Sequence, residues 1–449
     1  MLIQSPVCYE NPRAAVLSEL YTQLVQDRLS EYSYAAEIAG LYYSMRNTTS
    51  GVALSVAGYT HKLPALLATV ADGLSSPDKL AAKEFARFKD KFARDLRNFD
   101  KEQAYQHAAY AGSVLLNLPR WHIDDKLKEV DVLTVEDVRA HAERVLRSAS
   151  LETLVTGNAT PDMAHAYARA VRERIGAMQP AAVLDSSLVP RVVKLPRRSE
   201  SFFMQPGRDP DNVNSAIELM LQVGPDDPLT LAPLHVIAQI AQEPCFNTLR
   251  TEQQLGYIVF CGTRSDNGIV ALRVIVQSSR ADPHVLDDRI ERFLQQLEGI
   301  IGDMSEAALQ QNIDAVLMHL LEKDKTGASE ARRWANEIEL HVYRFSRAVE
   351  LAAAVAQVTK KDVQRFFREY LGRDAPQRRK LVVGIFGAKH KGAQAPGQPA
   401  QDGAAELDAA QAAAHTIAHR GAPAVFQITS IKQFRTANAL YPVHSRCQL

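Results

Sequence analysis

The sequence predicts an α+β protein of two tandem homologous domains, each a mostly antiparallel sheet packed with helices. Three observations carry this. The 449 residues exceed what one ordinary core accommodates. Segments of helical period alternate with short strand-like runs. Finally, TVEDVRAHAERVL (134–146) recurs as TKKDVQRFFREYL (359–371), sharing Thr, Asp, Val and the terminal Leu, and a strand ending in glycine follows each. A period of about 220 residues is too long for a solenoid and marks a duplicated domain.

Composition narrows the function classes. At 46% hydrophobic and 23% charged residues the chain matches an average globular protein. Lys plus Arg equals Asp plus Glu at 52 each, which argues against nucleic acid or an anionic membrane as the main partner. Cys8, Cys245, Cys261 and Cys447 show no C-x-x-C spacing, so reduced thiols and a cytoplasmic location are expected. No apolar run approaches the roughly 18 residues of a membrane span. The first residues lack a basic region followed by an apolar core, so no secretory signal is expected, and they read as if starting mid-strand.

In the first half, apolar residues recur at helical spacing from about 11 to 45, and GVALSVAGY (51–59) reads as a strand with Val52, Leu54 and Val56 on one side. A helix over 63–74 follows. Residues 77–117, rich in Lys, Arg, Ala and Leu at helical period, read as a scaffold with a solvated outer face. Thr134 and Asp137 form a helix-start signal, LETLVTGN closes as a strand, and another helix covers 161–177. Three prolines within 178–200 mark the linker. The domains are therefore placed at 1–189, missing its first strands, and 190–449.

The second half begins with strands near 202–204 and 216–223, then a helix over about 229–251. LGYIVFCGTR and GIVALRVIVQS form a hairpin whose Asn267-Gly268 pair supplies the positive φ of a tight turn. Helices fill most of 282–371, and KLVVGIFG is a last strand. An Ala, Gln, Gly and Pro tract at about 391–421 reads as a flexible insert, with order resuming near Val425.

The chemistry concentrates in EPCFNTLRTEQQLGYIVF (243–260). On the preceding helix Leu234, Ile237, Ala241 and Cys245 form one apolar stripe, while Gln239, Glu243, Phe246 and Arg250 fall opposite. Pro244 is expected to kink the helix, and Gly256 to allow a sharp passage that brings Tyr257 near Arg250. A guanidinium and a phenol are both donors, suited to a carbonyl oxygen on which negative charge develops. On these residues alone, a structural arginine beside an interfacial tyrosine is the favoured reading.

FNTLRTEQQLGYIVF, the Asn-Gly hairpin with VIVQS, EYSYAAEIAGL with SVAGY, and DAPQRRK together resemble the carboxy-terminal half of the insulin-degrading branch of the pitrilysin family of inverted zinc peptidases. The resemblance covers nearly the whole chain outside the Ala-rich tract. It implies an enzyme of four homologous domains whose halves close around a chamber, this chain supplying domains three and four. The family holds zinc on H-x-x-E-H and a distant Glu in its first domain. None of the thirteen histidines here begins that motif; His415 and His419 have i, i+4 spacing but lack the glutamate. Zinc is thus expected on an amino-terminal half, and none on this chain.

By the same resemblance, Arg250 and Tyr257 match the catalytic residues that reach the scissile peptide from the substrate side, and Phe246 matches a contact to the residue after the cut. Lys323 and Lys325 in LEKDKTGA (321–328) resemble a polyanion-binding segment, although Thr326 and Ala328 depart from the family pattern. The ending Cys447, Gln448, Leu449 only faintly resembles a peroxisomal address. The implied function is the substrate-binding half of a zinc metalloendopeptidase, with peptides and an amino-terminal half or full-length homologue as partners. A non-catalytic peptide-binding or regulatory protein is the alternative.

Overall fold

A computed structural model describes residues 1–176, 189–390 and 423–443. The Ala-rich tract at 391–421, His415, His419 and the Cys447, Gln448, Leu449 ending lie outside the described residues.

The first unit opens with β1 (Leu2–Gln4) and α1 (Pro12–Ile38). Asn11 caps α1 by accepting the Ala14 N–H, and proline occupies the first turn, where its missing donor costs nothing. The sequence suggested helix to about 45, but the chain leaves it at Gly40, whose φ of 75° ends helices readily. The tyrosine-rich run then forms β2 (Tyr42–Asn47) in a hairpin with β3 (Gly51–Ala57). There follow α2 (Leu63–Leu74), α3 (Ala82–Asn98), α4 (Ala104–Leu116), β4 (Asn117–Leu118), α5 (Ile123–Val130), α6 (Val135–Arg147), β5 (Ser150–Glu152) and α7 (Pro161–Ile175).

The second unit comprises β6 (Arg191–Val192), β7 (Ser199–Pro206), β8 (Ser215–Pro225), α8 (Pro228–Cys245), β9 (Ile258–Asp266) and β10 (Ile269–Ser278). After these come α9 (Pro283–Asp303), α10 (Glu306–Leu320), α11 (Gly327–Glu339), α12 (Arg347–Val355), α13 (Lys360–Phe366), β11 (Arg379–Phe386), β12 (Ala424–Gln427) and α14 (Ile431–Ala437). Asn267 (φ 43°) and Gly268 (φ 78°) make the tight turn between β9 and β10, both left-handed as a two-residue hairpin requires.

Topology repeats between the units. The first sheet runs β2-β3-β1-β5 and the second contains β9-β10-β8-β11, with every neighbouring pair antiparallel in both. The second sheet adds β7 and β12, parallel strands beyond β11. Thr134 with Asp137 and Thr359 with Asp362 form the same reciprocal cap at the starts of α6 and α13.

Three hydrophobic cores result among the described residues. One lies beneath α1, α2 and α6. A second fills the space between α8, α9 and one face of β8 and β10. The third joins the units: Ala104, Ala108, Ala111 and Leu115 of α4 meet Ala216, Met220, Leu381 and Val383 on the other face of the second sheet. Residues 77–117 are thus not uniformly a solvated scaffold. α3 keeps an exposed charged face, whereas the small residues of α4 let it approach the sheet closely. Ordered polar contacts line this seam. Arg264 donates to Glu218 Oε1 (2.7 Å), Asp266 and Ser113 Oγ (2.8 Å), and Asn117 Nδ2 donates to Asp266 (3.0 Å). Among the described residues no helix is long and apolar enough to cross a membrane.

Candidate functional site

The site is built on the carboxy-terminal end of α8. Asp227 caps this helix through the Thr230 N–H, and Leu234, Ile237, Ala241 and Cys245 are buried against the sheet. Pro244 supplies no N–H to the helix ladder, and from Phe246 to Glu252 the chain winds as a π-helical turn. The wider turn keeps Leu249 in the core while Phe246 and Arg250 face outward. The neighbouring Cys261 thiol and burial keep the Cys245 thiol protonated and therefore inert.

From there the chain reverses into β9. The Leu255 N–H donates to Leu249 O (3.0 Å) and the Gln253 N–H to Thr248 O (3.0 Å). Gly256 is not the left-handed residue of this passage; Gln254 is, with φ of 52°. Glycine is required at 256 for a different reason, since a Cβ there would stand 1.8 Å from Gln277 O. No sequence signal points to Gln254, because glutamine is not a residue that favours this conformation.

The reversal brings the expected residues together. The Arg250 guanidinium lies 4.5 Å from the centre of the Phe246 ring and 4.3 Å from that of Tyr257, a cation between two aromatic faces. Each such stacking contributes about 0.5 to 1 kcal/mol at an exposed site. Phe246 is 40% exposed and Tyr257 77%, so the cluster opens to solvent. Among the described residues no hydrogen bond or ion pair engages the Arg250 guanidinium or the Tyr257 hydroxyl, and their N–H and O–H donors are available to a ligand carrying acceptor oxygens.

Lys323 and Lys325 stand apart, on the exposed loop between α10 and α11. Lys325 pairs with Glu322 at 2.9 Å, Asp324 takes Arg333, and Thr326 caps α11. Among the described residues, no group of three or more His, Cys, Asp or Glu side chains is placed to hold a metal ion.

Comparison with known proteins agrees with this architecture. Residues 1–129 match the family described as the middle or third domain of peptidase M16, and residues 236–335 the one described as PQQ synthase PqqF-like, C-terminal lobe domain 4. The chain is 37% identical over 384 residues to the insulin-degrading enzyme of Homo sapiens, covering 85% of this chain but 37% of that protein. It thus spans well under half the length of this relative. In structure it superposes on pitrilysin with a TM-score of 0.82 at 22% identity, over 98% of this chain and 43% of that one. A peptidase M16 inactive domain from Pseudomonas fluorescens shares the fold with a TM-score of 0.59 at 13% identity, over 83% of this chain and 88% of that one. The chain belongs to the peptidase M16 family, among the relatives of insulin-degrading enzyme.

Proposed function

We propose that this chain is the substrate-binding, carboxy-terminal half of a zinc metalloendopeptidase similar to insulin-degrading enzyme, acting on peptides in the cytoplasm. The observation that carries the proposal is the exposed Phe246, Arg250, Tyr257 cluster, whose donors are uncommitted. Zinc, held by an amino-terminal half, supplies Lewis-acid activation of water when bound. The chain's own residues act on the substrate. Arg250 and Tyr257 donate to the scissile carbonyl oxygen as charge develops on it, and Phe246 packs against the side chain that follows the cut. The functional units are residues 1–189 and 190–449, matching the family's third and fourth domains. Any anion contact near the second unit's outer helices falls chiefly to Lys323, since Lys325 is committed to Glu322.

The test mixes the purified chain with zinc and a separately expressed amino-terminal half of a related enzyme, and follows cleavage of a quenched fluorescent peptide. Cleavage by the mixture, and by neither component alone, is expected. Cleavage by this chain alone would place the metal here. No cleavage in any mixture, with peptide binding retained, would make the protein a non-catalytic binder.

A further inference from the structure

Tyr257 is mostly exposed, so apart from Arg250 little besides the backbone leading into it fixes where its ring lies. That backbone turns at Gln254, whose left-handed φ of 52° is unfavourable for a residue other than glycine. Such conformations persist where surrounding contacts over-determine them. Here the contacts come from both sides. The Gln253 and Leu255 N–H groups bind the end of the π-helical turn, and Gly256 is pressed against the Gln277 carbonyl of β10. The Gln254 side chain is also anchored, its Oε1 accepting from Arg280 Nη1 at 3.4 Å just beyond β10. A right-handed or extended residue at 254 would send the chain off in another direction and separate Tyr257 from Arg250.

We propose that Gln254 is a positioning residue: its left-handed backbone, tethered through Arg280, sets the stacking of Tyr257 on Arg250 and hence the donor geometry of the site. The catalytic consequence rests on the function proposed above, whereas the stacking is measurable on this chain alone.

The experiment observes the Arg250 guanidinium by NMR in the full chain with isotope-labelled arginine. The unmodified protein is expected to show the upfield ring-current shift of a guanidinium held between two aromatic faces. Gln254→Gly and Gln254→Asn, which accept the left-handed conformation but give up the Arg280 contact, should keep a shifted resonance, weakened and broadened as in Arg280→Ala; Gln254→Val, which resists the conformation, should lose it. In the reconstituted enzyme Gln254→Val is expected to lose about tenfold in kcat with KM little changed, and Gln254→Asn to restore kcat.

A retained shift in a folded Gln254→Val protein overturns the proposal, as does a loss in the Gly and Asn variants as complete as in Val. Should Gln254→Val not fold, Arg280→Ala decides the tether. It is expected to weaken and broaden the shifted Arg250 resonance, and an unchanged resonance overturns the tether. The full ring-current pattern without cleavage in any reconstituted mixture would support the positioning geometry and defeat the proposed function, so the two failures are distinguishable.

Discussion

Phenylalanine in place of Tyr257 keeps the ring on which Arg250 stacks and removes only the hydroxyl. The cation between two faces should therefore survive in Tyr257→Phe while one donor disappears. If that donor serves the transition state, kcat in the reconstituted enzyme falls by roughly a hundredfold and KM changes little. An unchanged kcat would remove the hydroxyl from the chemistry. A second residue-scale effect concerns stability. His141, buried in α6, has Nε2 2.8 Å from Ser18 Oγ, and burial, aided by Arg144, holds its imidazole at about 4 against an ordinary 6.5. The unfolded chain binds this proton more readily. The stability is thus fully present above pH 6.5 and lost as the pH falls toward 4, with a total of roughly 3 kcal/mol at stake. Burial also lowers His122, His235 and His341, so the measurement must isolate one group. Urea unfolding across that window should show a shallower pH dependence for His141→Gln than for the unmodified chain.

Glycines separate turn geometry from helix propensity at the scale of elements. Gly256→Ala would drive a methyl group into the Gln277 carbonyl, backbone that cannot give way cheaply, and should cost about 2 kcal/mol or more in urea unfolding. Gly299, inside α9, has nothing within 4 Å of its missing Cβ, and Gly299→Ala should stabilise by about 0.5 to 1 kcal/mol. These opposite signs also mark what was legible in the sequence. Asn267 with Gly268, and the Thr–Asp caps of α6 and α13, could be read directly because residue type there dictates backbone geometry or satisfies an orphan N–H. The apolar stripe of α8 and the outward face carrying Arg250 followed from periodicity alone. Three features did not follow. The strand Tyr42–Asn47 sat within an apolar pattern that also fits a helix, and pairing with β3 decided it. The π-helical turn depends on how Leu249 packs after Pro244. Gln254 adopts its conformation because contacts on both sides impose it, and no propensity announces that.

The third core makes the two units of the molecule interdependent. α4 belongs to the first half in sequence, yet its Ala104, Ala108, Ala111 and Leu115 cover Ala216, Met220, Leu381 and Val383 on the second sheet. Polar ties accompany this cover. Gln277 Oε1 accepts the Tyr105 N–H (3.1 Å), Asn117 and Leu118 of β4 pair with Val192 and Arg191 of β6, and Arg435 donates to the carbonyls of Val114, Asn117 and Arg120. Arg208, just beyond β7, adds ion pairs to Asp100 and Asp124. A fragment of residues 190–449 therefore lacks the lid on one face of its own sheet, and an uncovered sheet face of this kind aggregates. Expressed alone, that fragment should precipitate or bind a hydrophobic dye. Co-expressed with residues 1–189, it should elute as a one-to-one complex, with amides of β8 and β11 protected from hydrogen exchange. A soluble monomeric 190–449 fragment with the same protection would show that α4 is dispensable to the second sheet. The site has a stake in this outcome: β10, on which Gly256 rests, pairs along its whole length with β8, so loss of the α4 cover should loosen the hairpin and the Arg250, Tyr257 pair together.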